Sequence, residues 1–165
     1  VYAAAPEFAG LTEWFNADGI PRTLKQLRGK VVLIDFWTYS CINCIRTIPH
    51  LREWDARYRD EGLVIVGVHT PEFAFEREPD NVKKAISDLG VTWPVALDPN
   101  YGTWNAWGNQ YWPAKYLIDQ EGNVRAYHLA RAPMTRRRRT SAFCWPRPAP
   151  RQSRSPKLAP EPTRR

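Results

Sequence analysis

The sequence predicts an α/β fold for residues 1–129, with a mixed central sheet flanked by helices. Apolar runs rich in β-branched residues alternate with segments whose apolar residues recur every three or four positions, as strands and helices do. Two such runs meet around the turn Asp119–Asn123 (DQEGN), which predicts one antiparallel hairpin. After position 129 the periodicity stops, so residues 130–165 are predicted to form a disordered tail rich in Arg and Pro.

The central elements have the clearest patterns. Lys30–Trp37 is almost continuously apolar, which predicts a strand buried on both faces. From Ile42 to Arg59 an apolar stripe predicts a helix that Gly62 ends and Pro49 kinks. Before them, Pro6–Gly29 is predicted to form a short strand or hairpin and then one helical turn near Leu24–Leu27. After them, strands are predicted at Leu63–His69, Val95–Leu97, Ala114–Ile118 and Val124–Leu129. A helix is predicted at Pro79–Leu89, and a loop or short helix at Asn100–Trp107.

The excess of positive charge lies in the tail. The net charge is +7, but residues 1–130 hold 13 Lys and Arg against 16 Asp and Glu, whereas residues 131–165 hold 11 against 1. Only Phe143 and Trp145 interleave the basic residues and no RNA- or DNA-binding module precedes the tail, so we expect no specific nucleic-acid partner. No apolar run approaches the roughly 20 residues of a membrane span. Because the chain begins at Val1 without a signal-like segment, we expect a fragment or mature product whose targeting segment, if any, lies upstream.

Two of the three cysteines form a C-x-x-C unit, Cys41-Ile-Asn-Cys44, between a buried strand and the start of a helix. A thiolate at a helix N-terminus faces unpaired N–H groups and the positive end of the helix dipole, and both favour the reactive anion. Cys44, one turn away, can close a disulfide. We predict redox chemistry with Cys41 as nucleophile and Cys44 as resolving thiol. The alternatives are a zinc half-site or two inert core thiols; the histidines show no ligand spacing.

Three segments carry a family resemblance: Asp35–Cys44 (DFWTYSCINC), Gly67–Phe73 (GVHTPEF) and Trp112–Ala114 (WPA). They resemble the thioredoxin superfamily, and most closely its extracytoplasmic TlpA- and DipZ-like thiol–disulfide oxidoreductases. The resemblance implies a thioredoxin-like mixed sheet, no cofactor besides the redox-active disulfide, and protein thiols or disulfides as partners. It also implies a location in the periplasm or cell envelope and a membrane electron donor, which in DipZ-like proteins is a domain upstream in the same chain.

The resemblance also implies roles for individual residues. Asp35 matches the buried acid that exchanges a proton with the resolving Cys44, and Trp37 matches a tryptophan that packs over the site. Pro113, preceded by Trp112, matches a proline whose cis peptide bond faces the cysteines. Because proline has no N–H, the neighbouring backbone is left free to pair with an extended partner chain.

Five further residues are candidates for shaping the site. Ile42 and Asn43 stand where thioredoxin has Gly-Pro, and Ser40 stands where it has Trp, so these positions are expected to set the balance between thiol and disulfide. His69 and Glu72 lie just past a predicted strand end, where functional loops occur. They are candidates for tuning Cys41 or holding a substrate, with an ordinary surface loop as the alternative.

Two other functions stay open from the sequence. A thiol-dependent peroxidase shares the broader fold, although the chain has no Pro-x-x-x-Thr-x-x-Cys site. A copper or zinc carrier could use Cys41, Cys44 and His69, but copper-handling relatives space their cysteines more widely, and we predict no metal site.

The tail departs from the family pattern. A thioredoxin-like fold ends with an amphipathic helix, and residues 130–165 contain no such pattern, so the final helix is predicted to be missing. We hypothesise that the tail is an out-of-frame translation, because a GC-rich gene read off-frame gives this Arg, Pro, Ala and Ser content, and a shift of one base permits the family's usual continuation. The nucleotide sequence tests this: homologous genes that keep the tail in frame would contradict it.

Overall fold

The computed structural model describes residues 3–129, in which six strands form one sheet accompanied by three α-helices. Short 3-10 turns follow α1 and β3, at Arg59–Glu61 and Ala74–Arg77. In chain order the elements are β1 (Trp14–Phe15), β2 (Val31–Trp37), α1 (Ile42–Tyr58), β3 (Leu63–His69), α2 (Pro79–Asp88), β4 (Val95–Leu97), α3 (Gly102–Ala106), β5 (Ala114–Ile118) and β6 (Val124–Leu129). The predicted α/β fold is therefore confirmed.

The sheet is mixed, as predicted, with the strand order β1-β4-β3-β2-β5-β6. β2, β3 and β4 run parallel, whereas β1, β5 and β6 pair antiparallel with their neighbours. The central strand β2 pairs with β3 on one side and β5 on the other, and this places Asp35 opposite both Gly67 and Lys115. Residues from distant parts of the chain therefore meet around the carboxyl-terminal half of β2.

Both faces of β2 are covered, which explains its nearly continuous apolar sequence. Ile34 and Phe36 are fully buried in a core on one face, and burial of such a side chain contributes about 1.5–3 kcal/mol. The other members of this core are Leu24, Leu27, Val32, Val66, Val68, Trp104, Trp107, Ala114 and Ile118. Because side chains alternate along a strand, Asp35 faces the opposite side. α1 lies on that side, since the side chain of its Thr47 contacts Lys115.

The start of the described chain differs in detail from the expectation. Of the two alternatives predicted within Pro6–Gly29, a short strand or a hairpin, the short strand forms; it pairs with β4, with Trp14 opposite Ala96. The helical turn predicted near Leu24–Leu27 is a series of turns in which the Leu27 N–H donates to the Thr23 carbonyl at 3.2 Å. An isolated short strand has few interactions of its own, so pairing with a distant strand decides its position.

The helix that carries the C-x-x-C unit forms where it was predicted, while the kink at Pro49 stays a prediction. α1 continues through Pro49, and the 3-10 turn after it ends at Gly62 with a φ of 99°. A residue with a side chain is strained in this left-handed conformation, so glycine suits the position. No helix in the described part of the chain is both long and apolar enough to span a membrane. The predictions of a disordered tail and of a missing final helix concern residues 130–165, which lie outside the described residues.

Candidate active site

Cys41 and Cys44 lie where β2 gives way to α1. Cys41 is the N-cap of α1, with an extended backbone, and its N–H donates to the Thr38 carbonyl at 3.3 Å. The backbone N–H of Cys44 donates to the Cys41 sulfur, also at 3.3 Å. Both cysteines are free thiols; Cys41 is partly exposed, whereas Cys44 is 1% exposed. The outer sulfur is thus accessible and receives a helix N–H, which is the arrangement predicted for a nucleophilic thiolate.

The inner cysteine is held as a thiol. Burial raises the pKa of Cys44 well above its usual value, and the hydrogen bond with Cys41 raises it further. The negative charge of Asp35 acts in the same direction, while a backbone hydrogen bond at Thr38 acts against it. Only a thiolate attacks a disulfide. Cys44 therefore needs a proton acceptor before it can react.

Asp35 forms a buried ion pair that the sequence did not predict. Its Oδ1 lies 2.7 Å from Nζ of Lys115, and both side chains are less than a tenth exposed. The same Nζ donates to the Thr47 hydroxyl at 3.1 Å, and that hydroxyl donates to the Cys44 carbonyl at 2.8 Å. Burial raises the pKa of Asp35, and the Lys115 ammonium partly opposes the rise. A buried carboxylate with a raised pKa, whose charge acts on the Cys44 thiol, is suited to proton transfer.

One feature of the sequence pointed to Lys115. It lies in the apolar strand β5, two residues after Pro113, at a position that is 7% exposed. A buried lysine needs a charged partner. The pattern could indicate that such a partner exists, but not that it is Asp35, 80 residues earlier in the chain.

The two predicted tryptophans pack near the same end of the sheet. The Trp37 ring meets the ring of His69 edge-on, with centroids 5.1 Å apart, and its Nε1 would lie 3.0 Å from a Cβ added to Gly67. The Trp112–Pro113 peptide bond is cis, as predicted. Trp112 Nε1 donates to the Thr70 carbonyl at 2.9 Å. This bond fixes the residue before the proline to the end of β3.

His69 is a buried structural neighbour of the cysteine turn. It is 1% exposed and its ring stacks on that of Tyr39, with centroids 5.7 Å apart. The Tyr39 backbone N–H donates to Nε2 at 3.3 Å, and the Thr38 hydroxyl lies 3.3 Å from the same atom. Because a backbone N–H only donates, Nε2 carries no proton and the ring proton is on Nδ1. Burial lowers the pKa of His69 to about 4, against the pull of nearby Glu76. His69 is therefore neutral at pH 7.

The remaining predicted site residues lie at the surface. Ile42 is 57% exposed, and Asn43 and Glu72 are also exposed. The backbone N–H of Glu72 donates to the Glu76 carboxylate at 2.6 Å. The roles predicted for these three side chains stay predictions.

Glu76 is a further buried carboxylate of this region, and sequence reasoning missed it. It is 1% exposed; Oε1 accepts a hydrogen bond from the Ser40 hydroxyl, and Oε2 accepts from the N–H groups of Glu72 and Phe73 at 2.6 and 2.9 Å. Burial disfavours its charge, but these hydrogen bonds prevail and lower the pKa of Glu76. The carboxylate thereby joins the loop after β3 to the residue before Cys41. The 3-10 turn at Ala74–Arg77, which turns this side chain inward, had no clear signal in the sequence.

We expect Glu76→Gln to lower the free energy of unfolding by about 1 kcal/mol at pH 7, because hydrogen bonds to a charged group are stronger than those to a neutral amide. Since the pKa of Glu76 is lowered in the fold, the advantage of the carboxylate is present above its usual 4.5 and is lost as the pH falls through the folded value. Urea denaturation at pH 7 and at pH 3 measures the difference. Glu78→Gln, an exposed neighbour, is the control. Equal effects of the two substitutions would contradict the assignment.

The described residues contain no cluster of three or more His, Cys, Asp and Glu side chains that could hold a metal ion. In particular, the structure shows His69 bonded to the backbone and hydroxyl of the turn. The carrier alternative, which needs His69 as a third ligand beside the two cysteines, therefore has no assembled site in this region.

Comparison with known proteins places this site in a family. A family model described as the AhpC/TSA family matches residues 1–127. The chain belongs to the AhpC/TSA family. Protein DipZ of Mycobacterium tuberculosis (strain CDC 1551 / Oshkosh) is 58% identical over 122 residues, which cover 73% of this chain and 18% of DipZ. Thiol-disulfide oxidoreductase YkuV of Bacillus subtilis (strain 168) is 32% identical over 123 residues, which cover 74% of this chain and 80% of YkuV.

A solved structure of a similar protein has the same fold as this AhpC/TSA chain. The solution structure of a thioredoxin-like protein in its oxidized form matches with a TM-score of 0.71 and 30% identity, covering 79% of this chain and 86% of that one. The thioredoxin-like fold is therefore confirmed, and so is the predicted enzyme class, thiol–disulfide oxidoreductase. The chain spans less than a fifth of the length of DipZ.

Proposed function

We propose that this AhpC/TSA domain exchanges its Cys41–Cys44 dithiol or disulfide with protein thiols through a mixed disulfide. The observation that carries the proposal is the unequal placement of the two sulfurs. Cys41 is accessible at the N-terminus of α1 and receives the Cys44 N–H, whereas the Cys44 thiol is buried one turn further in. This arrangement supports Cys41 as the sulfur that attacks a partner and Cys44 as the sulfur that releases it.

In the reducing direction, the Cys41 thiolate attacks one sulfur of a partner disulfide. A Cys41–partner disulfide forms, and the other partner sulfur leaves as a thiolate. The Cys44 thiolate then attacks the Cys41 sulfur, closes the Cys41–Cys44 disulfide, and releases the second partner sulfur. Two electrons pass from the domain to the partner. The reverse sequence oxidises a partner dithiol, and no dissociable cofactor takes part.

Asp35 is the proton acceptor that we propose for the second step. The raised pKa of Cys44 makes a base necessary, and the raised pKa of Asp35 brings this carboxyl closer to neutral pH. Asp35 takes the Cys44 proton as that sulfur attacks, and it returns the proton when the disulfide is reduced again. Lys115 keeps the carboxylate oriented from the side of β5.

We also propose a location outside the cytoplasmic membrane and a membrane electron donor, which in a DipZ-like arrangement is an upstream domain of the same protein. The 58% identity to DipZ supports this proposal. An alkaline phosphatase fusion to the full-length gene product tests it, because that enzyme is active only where disulfides form. An inactive fusion that is nevertheless expressed would overturn the location.

Trapping tests the exchange mechanism. We expect Cys44→Ser to accumulate a mixed disulfide with a protein substrate such as insulin, because the resolving thiol is gone. Cys41→Ser is expected to form none and to lose turnover, while a wild-type chain turns over without accumulation. Non-reducing mass spectrometry identifies the bond. Equal trapping through both single variants, or full turnover by Cys41→Ser, would overturn the assignment of nucleophile and resolving thiol.

A further inference from the structure

Large apolar side chains are unusually exposed near Cys41. Three of them are about half exposed or more in the described residues: Ile42 at 57%, Phe73 at 51% and Phe75 at 52%. Ile42 follows Cys41 directly, and the two phenylalanines lie in residues 71–76, here called the aromatic loop. Their rings stack in parallel, with centroids 5.6 Å apart and planes at 11°. Exposed apolar patches of this kind commonly mark interaction sites.

The aromatic loop is fixed by hydrogen bonds. The Glu76 carboxylate accepts the N–H groups of Glu72 and Phe73, as described above. The Phe75 carbonyl accepts two more hydrogen bonds, from the Tyr39 hydroxyl at 3.2 Å and from the Asn81 amide at 3.0 Å. The rings are therefore exposed on a backbone that is fixed by hydrogen bonds, and this reduces the conformational entropy lost when a partner binds them.

The loop is attached to the exchange site itself. Tyr39 and Ser40 immediately precede Cys41. The Ser40 hydroxyl donates to Glu76, and the ring centroid of Tyr39 lies 6.2 Å from that of Phe75. A polypeptide joined to the Cys41 sulfur must lie against the surface around this turn. Its side chains next to the reacting cysteine are then within reach of the patch.

We propose that the aromatic loop is a docking surface for a partner polypeptide that carries an apolar side chain beside its reactive cysteine. This inference rests on the proposed function and names the substrate class of the same site. The surface is continuous with the exchange site, and its exposed rings offer dispersion and stacking contacts. A small disulfide reaches the Cys41 sulfur without covering the loop, so the surface distinguishes protein substrates from small ones.

The test compares Phe73→Ser/Phe75→Ser with wild type and with Tyr127→Ser, which removes a still more exposed ring, at 68%, from β6. Three substrates are used: a peptide disulfide with leucine beside the cysteine, the same peptide with serine there, and bis(2-hydroxyethyl) disulfide. We expect the double variant to lose about tenfold in kcat/KM for the leucine peptide, the size of a typical interface anchor. Its rate with the small disulfide and the Cys41–Cys44 reduction potential are expected to stay at wild-type values, and Tyr127→Ser to match wild type throughout.

Three results would overturn the docking surface. In the first, the double variant loses no more kcat/KM for the leucine peptide than Tyr127→Ser does. In the second, it loses the same factor in kcat/KM for all three substrates. In the third, wild type has the same kcat/KM for the leucine and the serine peptide. Failure of the proposed function has a different signature. In that case wild type reduces bis(2-hydroxyethyl) disulfide no faster than Cys41→Ser does.

Discussion

Replacing Lys115 with methionine is expected to lower the free energy of unfolding by roughly 3–5 kcal/mol at pH 8, because a buried charge loses its partner. Asp35 is 3% exposed, and its Oδ1 lies 2.7 Å from the Lys115 ammonium. Methionine retains most of the apolar stem of lysine, so lost packing contributes little. Urea denaturation, followed by tryptophan fluorescence, measures the change.

The loss is expected to grow with pH. Burial raises the pKa of Asp35 above its usual 3.8, and Lys115 acts against this rise, so removing Lys115 moves the pKa further upward. Between the usual and the raised pKa the folded protein holds one more proton than the unfolded chain, and stability falls as pH rises. In Lys115→Met, the pH range between the usual and the raised pKa of Asp35 is wider than in wild type. Its deficit relative to wild type is therefore larger at pH 8 than at pH 5.

A double variant separates charge from packing. Lys115→Met combined with Asp35→Leu removes both charges, and we expect it to recover most of the lost stability, since an apolar replacement of a buried ion pair is often close to neutral. A loss below 1 kcal/mol in the single variant, or a double variant less stable than the single one, would contradict the role given to the pair.

The sequence predicted those parts of the fold that depend on local patterns. β2 and β3 were evident because both faces of each strand are covered, which leaves an almost unbroken apolar run. The Cys41–Cys44 site was evident because its chemistry needs two sulfurs at a fixed spacing before a helix. The pairing of β1 with β4 was not predictable, since strands of two and three residues have no local pattern that specifies a distant partner.

Within the site, the residues that the sequence did not predict act through long-range contacts. Lys115 reaches Asp35 across paired strands, and Glu76 reaches Ser40 from a loop 36 residues later in the chain. Sequence reasoning chose Glu72 in that loop, whereas the inward carboxylate is that of Glu76, because the 3-10 turn determines which side chain is buried. Composition identifies a charged residue, but only the fold decides which charge is desolvated and which group pairs with it.

Acid is expected to destabilise the fold through His69 by about 3 kcal/mol, following the conversion of a pKa difference into free energy. The pKa of His69 is lowered by burial from its usual 6.5 to about 4. Between these values the unfolded chain binds a proton that the folded protein does not. The stability that neutral His69 contributes is therefore complete above pH 6.5, and it is lost progressively as the pH falls toward 4.

The difference in unfolding free energy between wild type and His69→Gln isolates this effect, because glutamine does not titrate and its oxygen can still accept the Tyr39 N–H. We expect the difference to shrink steadily from pH 7 to pH 4. The exposed His50→Gln and His128→Gln are the matched controls for the substitution itself. A pH-independent difference for His69→Gln would contradict the assignment. Protonation at Nε2 replaces an acceptor with a donor facing the Tyr39 N–H. Acid should therefore loosen the turn that holds Cys41 before it unfolds the rest of the domain.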